Sequence, residues 1–468
     1  MSCNQDCILS VMNTFNRETY IERRKVLRSK LGKGRVLLLG NDESSMNYKD
    51  NWYHFRQDST FLYYFGLDQP GLAAIIDVDT GEEIIFGDEL TIDDIIWTGR
   101  LPKLSDLAES IGVSKTLPAS KLIKYSSGDL LYLPPYRPAH SVKIGSLIGM
   151  KPRKVNKRFS MRLIRAITDQ RLIKSEEEIE QMDQAVTISD RMHLEVMKQT
   201  KPGLKEHELV AVASKVAFDH NVHFAYPPIL TKYGEVLHNH YHGNTLNDGD
   251  MVLFDGGTES EMHYAGDITR TFPVNGRFDS RQKDLYDIVY HSFMASVEAM
   301  KPGVRFLDVH LLAGQKIVEG LKDLGIMKGD PAEAVSQGAH TMFLPCGLGH
   351  LIGLDVHDME NFGEENIGYT SELKKSTEFG LKSLRLGREL QAGFALTVEP
   401  GIYIVPELID LRKSQGKYFD FINYDELNKF RNFGGIRLED NFVITETGYR
   451  LLGIKMPRTA EEIEAAVG

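Results

Sequence analysis

The sequence predicts an α+β protein of two domains: a smaller α/β N-terminal domain over residues 1–165, and a larger domain over residues 175–468. Three observations predict it. At 468 residues the chain exceeds what one hydrophobic core usually organises. Helical and strand patterns alternate up to about residue 160, where the basic stretch "KPRKVNKRFS" reads as a linker and sets a boundary near residue 170. Beyond it the pattern echoes itself: "MKQTKPGLKEHEL" recurs as "VEAMKPGVRFLDV", with Lys201-Pro202-Gly203 matched by Lys301-Pro302-Gly303. A chance repeat of a common helix-ending tripeptide would look the same, whereas a true echo implies two related halves around a shared site.

Each element has its own signal. "TYIERRKVLRSKLGKG" is an amphipathic helix stopped by glycine, and "RVLLLGN" is the strand that follows. "AAIIDVDTGEEIIFG" is a hairpin, with two apolar runs flanking Asp79-Thr80-Gly81. "DLLYLPPY" is a further strand. The second domain opens with a helix at Ser175, with Glu178 completing a capping box and Ile179, Met182 and Val186 forming its apolar stripe.

Composition narrows the function classes. The chain is 42% apolar and 26% charged, as soluble globular proteins are, and its net charge of −11 argues against a nucleic-acid partner. No apolar run reaches the roughly 18 residues that span a bilayer, and "MSCNQDCILSVMNTFNRETY" lacks the pattern of a secretory signal. Three scattered cysteines (Cys3, Cys7 and Cys346) suit a reducing compartment, so the expectation is a cytoplasmic protein with no membrane partner.

The chemistry is carried by acids in apolar surroundings. "MVLF" is a buried-strand run ending in Asp255, and "ITRTF" is a second strand beginning just after Asp267. A carboxylate buried there must be paired, protonated or bound to a metal. Taken alone, the two also suit strand-end acids in solvent or salt bridges. Three further segments repeat the theme. "LPCGLGHLIGLDVHDM" places His350 before an apolar run, "GFALTVEPGIYIV" places Glu399 in a strand, and "FGGIRLEDNFVIT" places Glu439 with Arg437 on the same strand face. Four carboxylates and one imidazole form a hard donor set that favours Mn²⁺ or Co²⁺ over a structural zinc. Their combined charge suits two ions better than one. "GEVLHNHYHGN" offers a rival site, because His238, His240 and His242 fall on every second residue. Same-face neighbours on a strand lie about 6.6 Å apart, however, so the three converge on one ion only if the chain bends.

In this order, and in "DITRTFP", "GLGHLIGLDVHD", "TVEPGIY" and "GGIRLED", the chain resembles the pita-bread metallopeptidases that cleave Xaa-Pro bonds. "FRQDSTFLYYFGL" and "IIWTGRLP" are similar to the N-terminal domain of that family. The resemblance implies a C-terminal pita-bread (creatinase/aminopeptidase-like) catalytic domain with pseudo-two-fold symmetry. It also implies two divalent ions per subunit, Mn²⁺ first with Co²⁺ or Zn²⁺ as alternatives, and a homodimer or tetramer. By this resemblance Asp255 binds one ion, Asp267 and Glu439 bridge both, and His350 and Glu399 complete the second. Glu399 then moves the proton between the attacking water and the leaving proline nitrogen. His357 hydrogen-bonds the oxyanion, Arg437 orients the bridging acids and substrate, and His238 holds the proline end of the substrate or its carboxylate. Tyr226 supports the metal-bound aspartate, and His240 and His242 fall to the rim or the surface. Trp97 resembles a tryptophan that reaches a neighbouring subunit's pocket, although a core tryptophan fits equally.

There are two departures from the family pattern. Cys346 stands where many relatives have histidine, and the segment between Asp255 and Asp267 is one residue longer than in many relatives. A thiol nucleophile at Cys346 is chemically conceivable, but the metal motifs account for the nearby histidines better. "GLKSLR" resembles the Xaa-Pro dipeptidase (prolidase) branch, in which an arginine at the position of Arg385 grips the proline carboxylate. The expectation is therefore a dinuclear hydrolase of Xaa-Pro dipeptides. The alternatives are an Xaa-Pro aminopeptidase acting on longer peptides and a non-catalytic binding module of the same fold.

Overall fold

The computed structural model describes residues 14–468, in two compact units, the first ending at Arg171 and the second beginning at Leu172. Cys3, Cys7 and the opening stretch read for a secretory signal fall largely in 1–13, outside the described residues. In the first unit α1 (Arg17–Leu31) stops at Gly32, where φ is 74° and the cap N–H bonds Arg28 O. Strand β1 (Arg35–Leu39) follows, then α2 (Ser59–Phe65), whose residues are all buried and whose N-terminus is capped by Asp58. The expected hairpin forms from β2 (Ala73–Asp77) and β3 (Glu83–Phe86), with Ile75 opposite Ile84. With β4 (Thr116–Leu117) and β5 (Leu130–Leu131) they make a sheet in the order β4-β3-β2-β1-β5. The strand in "DLLYLPPY" is only two residues long, because Pro134 and Pro135 have no N–H to extend the ladder.

Two expectations for this unit are corrected. Residues 151–160 are not a linker. Pro152–Val155 is a helical turn, Val155 is fully buried in the core with Leu37, Ile75 and Phe86, and Tyr132 donates its hydroxyl to Val155 O at 3.1 Å. The basic side chains are the exposed side of that packed turn, and helix Met161–Arg171 continues the same unit. Trp97 is not a core residue: it is 86% exposed, on a helix (Ile92–Thr98) that buries none of its side chains.

The second unit opens with α3 (Glu176–Gln199), entered through the reciprocal Ser175–Glu178 capping box. Helix α4 (Glu206–Asp219) packs on it, as α5 (Ser280–Ala299) and α6 (Phe306–Asp323) pack on each other. The echo in sequence is an echo in hydrogen bonding. Gly203 and Gly303 take φ of 94° and 85°, and their N–H groups bond Leu246 O at 2.8 Å and Leu390 O at 2.9 Å. In return Leu246 N bonds Leu204 O and Leu390 N bonds Val304 O.

Strands β6 (Ile229–Thr231), β7 (Met251–Asp255) and β8 (Thr269–Pro273) form one antiparallel sheet. From the second half come β9 (Ala395–Val398), β10 (Gly401–Tyr403), β11 (Gly435–Arg437), β12 (Asp440–Ile444) and β13 (Tyr449–Leu451). There β12 lies between β9 and β13, and β10 pairs with β11. A bridge between Thr269 and Glu439 joins the halves where the acids gather. Every residue of β7, β8, β9 and β12 is buried, which explains the apolar run of β7 and requires partners for the polar side chains of β8 and β12. No helix among the described residues is long and apolar enough to cross a membrane.

Between α6 and the following 3₁₀ turn (Ala339–Met342), His310 and His340 are fully buried with ring centroids 6.1 Å apart. Burial pushes them down to about 3 and about 4. A histidine depressed in the fold leaves stability intact above the unfolded value near 6.5 and removes it as pH falls toward the folded value. Each should therefore cost about 1.4 kcal/mol at pH 5.5. Denaturant unfolding at pH 7.5 and 5.5 should show this loss, and His310→Phe should shrink it; a slope unchanged by that substitution would contradict the assignment.

Candidate metal centre

The polar site is built at the ends of the buried strands. Asp255 ends β7 opposite Thr269 of β8, and both carboxylate oxygens are engaged: Oδ1 accepts from the Tyr226 hydroxyl at 2.6 Å, and Oδ2 ion-pairs with Arg437 Nη2. Asp267 precedes β8, where the Asn441 side chain binds its backbone on both sides, accepting from Asp267 N at 3.0 Å and donating to Asp267 O. The Tyr226 hydroxyl also touches Asp267 Oδ1. Glu439 lies between β11 and β12. Its N–H bonds Thr269 O at 3.1 Å, and its Oε2 accepts from Thr269 Oγ1 at 2.6 Å.

His350 is placed by close backbone packing. A Cβ on Gly349 would stand 2.0 Å from Thr397 O, so only glycine lets this loop lie against β9. The His350 N–H bonds Thr397 Oγ1 at 3.2 Å, and its Nδ1 is 3.1 Å from Leu351 O. Nε2 is thereby turned toward Asp267 Oδ2 at 3.3 Å and Glu399 Oε1 at 3.7 Å. Glu399 follows β9 and is anchored by its N–H to Leu348 O at 2.7 Å.

These groups strain against one another electrostatically. Burial raises Glu399 to about 7 against the pull of His350 and Arg437. Burial, with Asp267, Glu399 and Asp255 alongside, drives Glu439 well above the usual carboxylate range. Asp255 is also raised by burial, with Arg437 opposing. Burial alone would depress His350, but the Asp267 contact and the surrounding acids lift it to about 9. The donor atoms of Asp267, His350 and Glu439 lie within 4.8 Å of one another, and Glu439 Oε1 is buried with no hydrogen-bond partner among the described residues. Repelling carboxylates, an aimed imidazole and an orphaned buried oxygen fit divalent cations.

A cavity of about 530 Å³ opens on this cluster. The five expected ligands Asp255, Asp267, His350, Glu399 and Glu439 line it, with Arg437, His238, His357, Arg385 and Tyr226. His357 lies with its ring 4.3 Å from that of His350, and burial with its cationic neighbours pushes it down to about 2. Cys346 lines the cavity with a thiol that burial and Glu399 push up to about 12, which leaves it protonated and a poor nucleophile. The three alternate histidines do not share a strand face. The chain turns at 237–238, His238 and His240 line the cavity, and His242 does not.

Of the residues that hold this cluster, sequence reasoning named Tyr226 and Arg437 but missed Thr269, Tyr403 and Asn441. Thr269 Oγ1 accepts from Arg437 Nε at 3.1 Å while donating to Glu439, and the Tyr403 hydroxyl accepts from Arg437 Nη1 at 2.9 Å. Thr269 was discoverable as the residue two beyond Asp267 and so on its side of the strand; Tyr403 carried no polar signal within "EPGIYIV". A buried Lys174–Asp358 ion pair at 2.9 Å fixes the chain beside His357.

The family model "Metallopeptidase family M24" matches residues 180–446, and "Aminopeptidase P, N-terminal domain" matches 20–130. The chain belongs to metallopeptidase family M24. Among its M24 relatives, the human Xaa-Pro dipeptidase is 36% identical over 97% of this chain and 92% of its own length. The Xaa-Pro aminopeptidase of Escherichia coli K12 is 31% identical over 97% of this chain and 98% of its own. The structure is similar to that of zinc-substituted E. coli aminopeptidase P in complex with product, with a TM-score of 0.80 at 30% identity over 97% and 98% of the two chains. The M24 unit thus has the aminopeptidase P-like, pita-bread fold behind an aminopeptidase P-type N-terminal domain.

If the raised carboxylates exist to hold cations, returning Mn²⁺ to chelated protein should raise the thermal midpoint. The gain is about 2.7 kcal/mol at a hundred times the dissociation constant. Glu439→Gln should lose most of it; a midpoint indifferent to divalent ions would contradict the centre.

Proposed function

We propose that this chain hydrolyses the peptide bond preceding proline, with Xaa-Pro dipeptides as preferred substrates. The observation that carries the dipeptide preference is Arg385 on the wall of the cavity that holds the acids. A dipeptide ends in a carboxylate on the proline itself, and a guanidinium takes a carboxylate in two parallel hydrogen bonds. A peptide extended beyond proline has no charge there to meet it.

Asp255, Asp267, His350, Glu399 and Glu439 would hold two divalent ions, with manganese first among the candidates. Such ions supply Lewis-acid polarisation of the scissile carbonyl and a more acidic water. The chain's own groups do the rest. Glu399 takes the proton of the attacking water and returns it to the proline nitrogen, a ring amine that leaves poorly unless protonated. His357, neutral beside His350, donates a hydrogen bond to the oxygen that gains charge. His238 packs against the proline end. Arg437, itself fixed by Tyr403 and Thr269, holds Asp255 in place and opposes the effect of burial on it. We assign catalysis to the second domain (175–468) and a supporting role to the first (1–165). A cytoplasmic homodimer completes the reading, supported by the exposed Ile92, Ile96 and Trp97 on one short helix.

The similarity to aminopeptidase P supports the second reading, an aminopeptidase that acts on longer peptides. With the Mn²⁺-loaded protein, Ala-Pro should be cleaved with a higher kcat/KM than Ala-Pro-Gly. Faster cleavage of the tripeptide would decide for the aminopeptidase. No metal-stimulated hydrolysis of either peptide would leave only the binding-module reading.

A further inference from the structure

Arg385 is not a lone cation on the cavity wall. Its Nη1 ion-pairs with Glu360 and lies 3.3 Å from Glu364 Oε1, and Glu364 in turn pairs with Lys375. Its Nη2 and Nε make no hydrogen bond among the described residues, so one edge of the guanidinium is held and the other is open. The open edge has the two-donor geometry that a carboxylate accepts. Glu360 faces a second way as well: its Oε2, the oxygen that meets Arg385, lies 3.4 Å from His357 Nδ1. One buried-side carboxylate oxygen therefore touches both the guanidinium and the imidazole. The surrounding charges are two acids, Glu360 and Glu364, and two bases, Arg385 and Lys375, so the cluster is neutral before substrate enters. A neutral cluster attracts a carboxylate weakly at long range, and its selectivity must come from placement of the open edge.

We infer that Glu360 is a positioning residue for substrate-carboxylate recognition, and that it joins this recognition to His357. The inference rests on the dipeptidase reading given above. Glu360 holds Nη1 so that the Nη2–Nε edge meets the dipeptide carboxylate, and the same oxygen fixes the His357 ring. Without it the long arginine side chain samples other rotamers and the imidazole loses its support, so the proline carboxylate and the scissile carbonyl are both held less well.

The test compares Ala-Pro with Ala-Pro-amide, which lacks the carboxylate, on Mn²⁺-loaded parent, Arg385→Ala, Glu360→Ala and Glu360→Gln proteins. The KM of each substrate is measured, or the Ki where turnover is slow. Glu360→Ala should raise the Ala-Pro KM about tenfold, roughly the loss of one charge-assisted hydrogen bond. It should leave the amide within about twofold and lower kcat several-fold on both. Glu360→Gln keeps an oxygen that accepts from Nη1 and should restore most of the Ala-Pro KM. Should Glu360→Ala not fold, Glu360→Asp, which draws the carboxylate back by one methylene, carries the same expectation. An Ala-Pro KM raised by Arg385→Ala but not by the Glu360 variants overturns the role of Glu360 alone. An equal rise for both substrates makes Glu360 a general structural support and also overturns it. An Ala-Pro KM unmoved by Arg385→Ala sinks the dipeptidase reading, and this inference with it.

Discussion

Four carboxylates of the second unit are gathered where water is scarce, and the surrounding structure is arranged to keep them there. Asp255 and Asp267 come from the first half of the unit, Glu399 and Glu439 from the second. Arg437 answers the repulsion by crossing between the halves to Asp255, with its other nitrogens held by Thr269 and Tyr403. Thr269 crosses back to Glu439, and Asn441 crosses to Asp267. A buried charge that lost its partner would cost several kcal/mol, so these contacts are interdependent. Thr269 shows this most plainly, since one hydroxyl accepts from the cation and donates to the acid.

Much of this was legible in the sequence because each acid interrupts an apolar run that has no other reason to contain one. Asp255 after "MVLF" and Glu399 within "ALTVEPGI" stand out for that reason, and the structure lines one cavity with both. The Lys-Pro-Gly echo was legible too, because glycine at positive φ after a helix is a local signal. What failed was composition read without packing. "KPRKVNKRFS" is as basic as a linker, but its Val155 is buried and decides the fold of the segment. The alternating histidines suggested one strand face, yet the chain turns at 237–238 and runs on through 239–244 without forming a strand, and nothing in residue type announces this. Glu360 was invisible for another reason: His357 is only three residues away, but Arg385 becomes its neighbour only through the path of a long loop.

The site is thus built in two registers. The acids and His350 sit on strand ends or on loops locked to them, as the Gly349 contact with Thr397 shows. The groups proposed to hold the substrate, His238, His357 and Arg385, sit on connecting segments along the cavity wall. Chemistry on rigid elements and selection on loops is a division that lets one scaffold serve peptides of different length. It also explains how dipeptidases and aminopeptidases both resemble this chain over nearly its whole length.

The paired Lys-Pro-Gly turns show that the catalytic unit is two similar halves, yet neither carries a full set of donors. The first lacks an imidazole in the cluster and the second lacks both aspartates. A chain that has folded only one half therefore owns unbalanced acids and no place for a cation. A cation that needs donors from both halves would be held only once the two are joined, so the same contacts that close the fold would also complete the donor set.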